Sequence, residues 1–533
     1  MRAVLVANRG EIALRVFRAA RARGLEAVAV AEPDDRGSLH ARSADRVVEI
    51  SSYLDPAEHL RAAAATGADA VHPGYGFLAE NADFAAAVDA AGLRWIGPRA
   101  SALRAGGDKV AAKRIARDAG VPTVPDTEQP PLIVKAAAGG GGRGMRIVRD
   151  SSELDEAVAA ARREALAAFG DDRVYLERYL ERPRHIEIQL LADTHGTVVS
   201  LGERECSVQR RHQKVLEESP STAVDAELRA RLGDAAVRFA RAIGYVGAGT
   251  AEFVLDGRDF YFLELNARIQ VEHPVTETTT GIDLVDWQLR IADGERLDVQ
   301  PELRRHAVEV RLYAEDPRTF LPQAGRIERL SFPAFVRVDA GVEAGDEVTT
   351  RYDPMIAKLI AGAASRTEAL DLLAAALDEV EVSGVITNLP FLRWLVAHPA
   401  LRAGDTTTSF LVEYPPLSAP PAALPAPVWR GAFRLNLPSP PLRPPPDVES
   451  ASHERAHASG GPAAVTAPMP GTVIRVNVET GATVAAGDPL VVLEAMKMET
   501  PLQAPYDAVV ESVHVSDGDR VAAGETLVEL TPT

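Results

Sequence analysis

The 533-residue sequence has a single cysteine, Cys206. That excludes an internal disulfide and any zinc site built from clustered cysteines. Basic residues are the minority charge, with 58 Lys plus Arg against 76 Asp plus Glu and a net charge of −18. A general polyanion binder is thereby excluded, because affinity for a phosphate backbone comes from massed Lys and Arg. A local anion site is not excluded. No run of 18 apolar residues occurs, so no membrane-spanning helix is expected, and MRAVLVANRG shows no cleavable apolar region. The expectation is a cytoplasmic protein with no nucleic-acid or membrane partner. What is present is ordinary globular composition, 46% hydrophobic and 25% charged. At roughly 150 residues per domain, the length implies three to four domains.

The N-terminal segment reads as a strand–helix–strand unit of a parallel sheet: the apolar run Val4–Ala7, helical spacing over Ile12–Ala22, then a β-rich run Ala27–Ala31. The intervening turn lacks G-x-G-x-x-G, so a dinucleotide fold is weakly supported. Alternation of strands and helices is expected to continue to about residue 300. The sharpest boundary is compositional. From Pro415 to Pro446, 12 of 32 residues are proline, too many for helix interiors or ladder donors. As flexible coil, residues 415–462 would span roughly 40 Å.

Beyond this linker lies an internal repeat. Residues 467–494 shifted by 37 fall on 504–531 with 13 of 28 identical. Each half alternates apolar residues with turn glycines, so the pair predicts a small β-sandwich of quasi-twofold symmetry. One excursion, EAMKMETPLQ at Glu494–Gln503, lies between the copies and predicts an exposed hairpin bearing Lys497. Residues 463–533 hold 3 basic and 10 acidic groups, so −7 of the −18 belongs to this unit.

Three patches upstream carry chemistry. A glycine-rich loop, Gly139–Gly142 followed by Arg143 and Gly144, comes straight after the apolar strand around Lys135. Glycine lets backbone N–H groups close on a phosphate, yet no GK[ST] follows, so this is not a P-loop. In Glu264–Glu272, polar and apolar residues alternate; an extended chain would put Glu264, Asn266, Arg268, Gln270 and Glu272 on one face. Upstream, AEFVLDGRDFYFLEL predicts a hairpin turning at Asp256–Gly257. In registers of even residue sum, Glu252 and Glu264 face each other, a site for a divalent cation with a nucleotide; an odd register separates them, and the sequence leaves both open. The third patch, Gln209-Arg210-Arg211-His212-Gln213-Lys214, is either a local anion site or a salt-bridged surface. Cys206 beside it reads as buried and inert.

Taken in order, HPGYGFLAEN (72–81), KAAAGGGGRGM, QRRHQK and LNARIQVEHPVTE make residues 1–411 resemble biotin carboxylase, an ATP-grasp enzyme. EAMKME on the repeat-built domain resembles the attachment signature of biotinyl carriers. Lipoyl domains share that fold and usually carry DK in place of MK. The two parts together resemble the α subunit of an acyl-CoA carboxylase of the acetyl- or propionyl-CoA type. The implied fold is α/β throughout the carboxylase: an N-terminal α/β domain (1–104), an ATP-grasp domain (105–302) and a C-terminal α+β domain (303–411). A proline-rich linker (412–465) and an all-β carrier (466–531) follow.

The resemblance implies that Lys497 carries biotin in amide linkage, attached by a biotin protein ligase. ATP would be held by Lys109, Lys135, Glu177, Leu180, His185, Gln209 and His212, under a lid containing Gly140, Gly141 and Gly142. Two Mg²⁺ (or Mn²⁺) ions would sit on Glu252, Glu264 and Asn266. Bicarbonate would rest on Arg268, Gln270 and the Val271 backbone, with Glu272 as base and Lys214 stabilising carboxyphosphate. Arg337, in FVRVDAG, would offset the biotin enolate, with Tyr75 on the biotin side. The implied partners are a separate carboxyltransferase β subunit and further copies of the chain. Two departures stand out: only ten residues separate Pro122 from Ile133, which predicts a trimmed lid, and no carboxyltransferase region is present. The alternatives are a subunit serving pyruvate or urea, a lipoyl-bearing ATP-grasp ligase, and an inactive biotin carrier.

Overall fold

The structure, a computed structural model, describes residues 1–137, 145–210, 213–349, 351–417, 463–467, 471–495, 498–521 and 524–532. The N-terminal unit is a five-stranded parallel sheet. Strand Ala3–Val6 lies at its centre, flanked by Glu26–Ala31 and Ala70–His72, with Arg46–Glu49 and Arg94–Trp95 at the edges. Helix Gly10–Ala22 makes the first crossover, and Ala3 pairs with Glu26 in parallel register, as the apolar runs predict. Val4, Leu5, Val6 and Val28 are fully buried, the two-sided burial a parallel sheet requires.

The predicted alternation with helices fails after residue 174. Four consecutive strands follow without a helix: Val174–Arg178, Arg184–Ala192, Val198–Arg210 and Gln213–Ser219. Three of them join an eight-stranded antiparallel sheet, whose order is Asp259–Asn266, Gly247–Asp256, Arg184–Ala192, Val198–Arg210, Gln213–Ser219, His306–Tyr313, Met355–Ala363, Arg337–Ala340. The sheet takes in strands on both sides of residue 303. One face is apolar: Ile186, Ile188 and Leu190 pack with Ala251 and Phe253, and farther along Val308, Val310 and Leu312 pack with Leu359. The other face takes the alternate residues His185, Glu187, Gln189, Glu252, Glu309 and Arg311, and it forms the floor of the functional site.

Val174–Arg178 instead pairs with Leu132–Ala136, which also pairs with Arg146–Val148. Helix Leu154–Phe169 covers this three-stranded sheet, and Leu132, Val134, Val148 and Ala161 form its small core. The segment ahead of it is short and carries no helix. It runs straight across the neighbouring strands, with bridges Thr123↔Phe262 and Asp126↔Glu177. The glycine loop itself lies outside the described residues.

The C-terminal unit is a sandwich of two four-stranded sheets. Each sheet holds two strands of one repeat copy and borrows the short strand of the other. Thr483–Val484 joins Ala508–Val513 and Thr526–Pro532, while Arg520–Val521 joins Gly471–Val476 and Pro489–Ala495. Positions 37 apart are buried together: Val473 with Val510, Leu490 with Leu527, Val491 with Val528, Leu493 with Leu530. Burying such a side chain is worth about 1.5–3 kcal/mol, so both copies contribute symmetrically to one core. The excursion forms a hairpin, Pro489–Ala495 against Met498–Gln503, paired up to Ala495↔Met498. Met496 and Lys497 lie outside the described residues.

Candidate functional site

The metal-type pair depends on a detail of the hairpin. The two-residue turn Gly257–Arg258, with Gly257 at φ +63°, fixes an odd register in the outer half: Asp256↔Asp259, Leu255↔Phe260, Phe253↔Phe262. Continued inward, that register would set Glu252 against Leu263. Instead Leu263 is bulged and unpaired, and Glu252 faces Glu264 directly, followed by Thr250↔Asn266. Cross-strand carboxylates repel, and cations relieve them here. The ammonium of Lys214 lies 2.8 Å from Glu252 and that of Lys109 3.1 Å from Glu264, while the His185 ring nitrogen Nε2 stands 3.1 Å from Glu252. Asn266 and Gln270 donate to Glu252 Oε1 at 2.8 and 2.9 Å.

The strand ends at Asn266, so the single extended run expected over Glu264–Glu272 does not form. Residues 267–272 are a loop ahead of helix His273–Thr280. The loop nevertheless brings Arg268, Gln270, Val271 and Glu272 to the same cavity as Glu264 and Asn266. Glu80, in the HPGYGFLAEN segment, holds the loop start: it accepts from the Ala267 N–H and from Arg268 Nε, both at 3.0 Å. Lys358 holds the far end, donating to the Val271 carbonyl at 2.8 Å while lying 3.2 Å from Glu11.

The cavity has a volume of about 530 Å³. Its lining includes Tyr75, Lys109, Lys135, His185, Gln209 and Lys214 together with Glu252 and the 264–272 residues. At its floor Lys214 Nζ contacts three carboxylates: Glu187 at 2.5 Å, Glu252 at 2.8 Å and Glu272 at 2.6 Å. Burial alone would pull the Lys214 ammonium down, but these carboxylates outweigh it and hold it well above the ordinary lysine range. Burial would likewise raise Glu272; Lys214, Arg311 and Arg204 outweigh that and keep it ionised well below the usual carboxylate range. Arg204 is fully buried beneath, donating to Glu187, Gln189, Thr276 and Gln270. Cys206 is buried, and burial first, then Glu187, push its thiol well up, so it is an inert thiol.

Several expected residues fall elsewhere. Arg337 does not line the cavity; Glu277 and Asp339, each 2.7 Å away, tie down its guanidinium. Beside Arg268, the cavity is lined by Arg311, whose Nη2 lies 2.9 Å from Glu272 Oε2 while Glu217 holds the same guanidinium. The role expected of Arg337 is therefore misplaced, because its strand lies at the sheet edge and its side chain is spent on two acids. Leu180 is off the cavity wall, and buried Glu177 is reached only through Lys135, 2.7 Å away, and Lys113. Gly140, Gly141, Gly142, His212 and Lys497 lie outside the described residues. Sequence reasoning missed Glu187, Arg204, Arg311 and Lys358. The period-2 pattern of HIEIQ and AVEVRLY, polar residues alternating with core residues, is the signal for two of them.

A divalent cation of the Mg²⁺ type takes hard oxygen donors. Glu252 and Glu264 supply such oxygens, the Asn266 amide stands between Glu252 (through Nδ2) and Arg268 (through Oδ1), and ammonium and amide groups cluster on the carboxylates where positive charge is wanted. The donors fit the ion.

Comparison with known proteins agrees with this geometry. The model for "Biotin carboxylase, N-terminal domain" matches residues 1–103, and that for "Carbamoyl-phosphate synthase L chain, ATP binding domain" matches 108–300. "Biotin carboxylase C-terminal domain" matches 309–413 and "Biotin-requiring enzyme" 463–530. The methylcrotonoyl-CoA carboxylase subunit α of Dictyostelium discoideum is 45% identical over 79% of this chain, and the match spans 65% of that protein's length. The biotin-dependent acyl-coenzyme A carboxylase alpha3 subunit of Mycobacterium leprae is 42% identical over 95% of this chain and 94% of its own. The biotin carboxylase domain of Hydrogenobacter thermophilus 2-oxoglutarate carboxylase, solved with MgADP and bicarbonate, superposes with a TM-score of 0.76 at 42% identity, over 78% of this chain and 98% of that one. The chain spans 60–65% of the length of the first three curated relatives it matches; with near-full mutual coverage of the Mycobacterium leprae relative, it belongs to the family of α subunits of biotin-dependent carboxylases, with the biotin carboxylase domains and a biotin-requiring carrier domain.

Proposed function

We propose that this chain uses ATP and bicarbonate to carboxylate biotin carried on Lys497, and that a separate carboxyltransferase subunit receives the carboxyl group. The observation that carries the reading is the Lys214–Glu272–Arg311 cluster at the end of a cavity lined by Lys109, Lys135 and His185. Bicarbonate is a poor electrophile, so it is first phosphorylated. Arg268, Gln270 and the Val271 backbone orient it. Glu272, kept ionised by its two cations, accepts its proton while the bicarbonate oxygen attacks the γ-phosphorus of ATP and ADP leaves. Glu252, Glu264 and Asn266 would hold Mg²⁺, which neutralises phosphate charge when bound. Lys109, Lys135, His185 and Gln209 fix the nucleotide, Glu177 acting through Lys135 and His212 alongside. Lys214 stabilises the carboxyphosphate formed. Its breakdown gives CO₂ and phosphate; the phosphate takes the N1 proton of biotin, the N1 attacks CO₂, and Arg311 offsets the enolate charge, with Tyr75 on the biotin side.

The remaining assignments extend this reading. The division is 1–104, 105–302, 303–411, linker 412–465 and carrier 466–531. A biotin protein ligase loads Lys497, the chain assembles with its own copies and a carboxyltransferase β subunit, and it works in the cytoplasm. The curated relatives' names, methylcrotonoyl-CoA, propionyl-CoA and acyl-coenzyme A carboxylase subunits, favour an acyl-CoA acceptor over pyruvate or urea. The test is ATP hydrolysis by the purified chain: turnover requires both bicarbonate and biotin. Bicarbonate-independent turnover, or none with Mg²⁺ bound, refutes the reading.

A further inference from the structure

Beneath Glu272 the sheet carries two carboxylates that the reaction above does not use. Glu217 and Glu309 are Cα partners on adjacent antiparallel strands, so their side chains leave the same face. Both are completely buried. Glu217 Oε1 lies 2.7 Å from Arg311 Nε and 2.5 Å from its Nη2, and that Nη2 also reaches Glu272 Oε2 at 2.9 Å. The second oxygen of Glu217 and both oxygens of Glu309 have no hydrogen-bond donor among the described residues. Lys358, the other cation nearby, is spent on the Val271 carbonyl and Glu11. An ionised carboxylate buried without a partner is strongly disfavoured. One proton serves two of these three oxygens and removes a buried charge: as the neutral acid, Glu309 would donate to Glu217, which stays ionised and grips Arg311.

We propose that Glu217 and Glu309 hold one proton between them, carried on Glu309, and act as the positioning pair that presents Arg311 to Glu272. The pair then bears a single negative charge. The guanidinium balances it through Nε and Nη2 together, and Nη2 still reaches the base. Were both carboxylates ionised, Arg311 would be drawn down toward them. Burial, with Glu217 and Glu272 facing it and Lys358 and Arg311 opposing, holds Glu309 well above the ordinary carboxylate range. Burial also pushes Glu217 up to about 7 against Arg311 and Lys214.

The kinetic part of the test rests on the function proposed above; the spectroscopic part does not. In the full-length purified chain at neutral pH, the infrared difference spectrum between wild type and Glu309→Gln shows a protonated-carboxyl carbonyl band, present only in the wild type. Its absence overturns the proposal whatever the enzyme catalyses. Glu309→Leu lowers kcat for biotin carboxylation by about 10-fold and Glu217→Gln by about 10- to 100-fold, with the KM for ATP unmoved. Glu309→Gln restores most of the leucine variant's loss, because an amide donates as the acid does. In an Arg311→Gln background, Glu217→Gln has no further effect, which a merely structural role would not produce. Equal damage from Glu309→Gln and Glu309→Leu, full activity of Glu217→Gln, or additive losses with Arg311→Gln overturn it. If Glu217→Gln fails to fold, the infrared band and the Glu309 pair decide.

Discussion

Replacing Lys214 with methionine keeps an unbranched stem out to Cε and removes a cation that contacts Glu187, Glu252 and Glu272 at 2.5–2.8 Å. Unit charges about 4 Å apart interact by about 4 kcal/mol at an effective dielectric of about 20, and about 1.4 kcal/mol equals one pKa unit. Losing even half of that interaction raises the Glu272 carboxyl by roughly 1.5 units, with Arg311 and Arg204 still in place. The sign is set by the base: Glu272 acts when ionised, so the acidic limb of the rate profile moves up in pH, by about 1–3 units. Stability follows the same linkage. In the wild type, a depressed Glu272 contributes stability at any pH above its unfolded value and loses it only as pH falls through the folded one. In the variant that contribution shrinks, and breaking a buried ionic cluster costs about 3–5 kcal/mol besides. The assay is bicarbonate-dependent ADP release across the pH range, with thermal melting alongside. An acidic limb that superposes on the wild type, at undiminished kcat, would refute the reasoning.

Three further outcomes are expected. Arg311→Gln lowers kcat for biotin carboxylation by about 100-fold or more, whereas Arg337→Gln, freeing Glu277 and Asp339, lowers thermal stability with a smaller change in kcat; steady-state kinetics and melting of the two variants separate the roles. Lys497→Ala abolishes avidin binding but keeps activity on free biotin, checked by avidin blotting and ATP turnover. Glu264→Gln, by removing one facing carboxylate, raises the Mg²⁺ concentration for half-maximal ATP turnover by about 10-fold or more, read in a metal titration after chelation.

The sandwich was legible because its signal is a period: a 37-residue shift that aligns Val473 with Val510 also aligns their burial. The first crossover was legible because apolar runs on a two-sided parallel sheet have no competing explanation. The facing pair Glu252 and Glu264 was legible only as one of two registers, since a bulge at Leu263 decides between them and nothing in FYFLELN announces it. Arg311 escaped notice because a charged residue in AVEVRLY looks like any half-exposed strand position, until a second layer covers its polar face. The loop from Ala267 to Glu272 alternates like a strand, but Glu80 and Lys358, distant in sequence, pull it off the sheet. Contacts of that kind leave no trace in local pattern.

The bulge has a consequence for how this hairpin tolerates change. In a regular ribbon, losing one residue turns every later side chain over. Here Phe253↔Phe262 and Glu252↔Glu264 already flank an unpaired Leu263, so excising that residue would close the ladder without disturbing either pairing. The cation-binding carboxylates would keep their places, and the nucleotide cavity would lose only the apolar wall that Leu263 gives it. A single-codon deletion is therefore the means by which grip on the nucleotide can drift independently of grip on the ion.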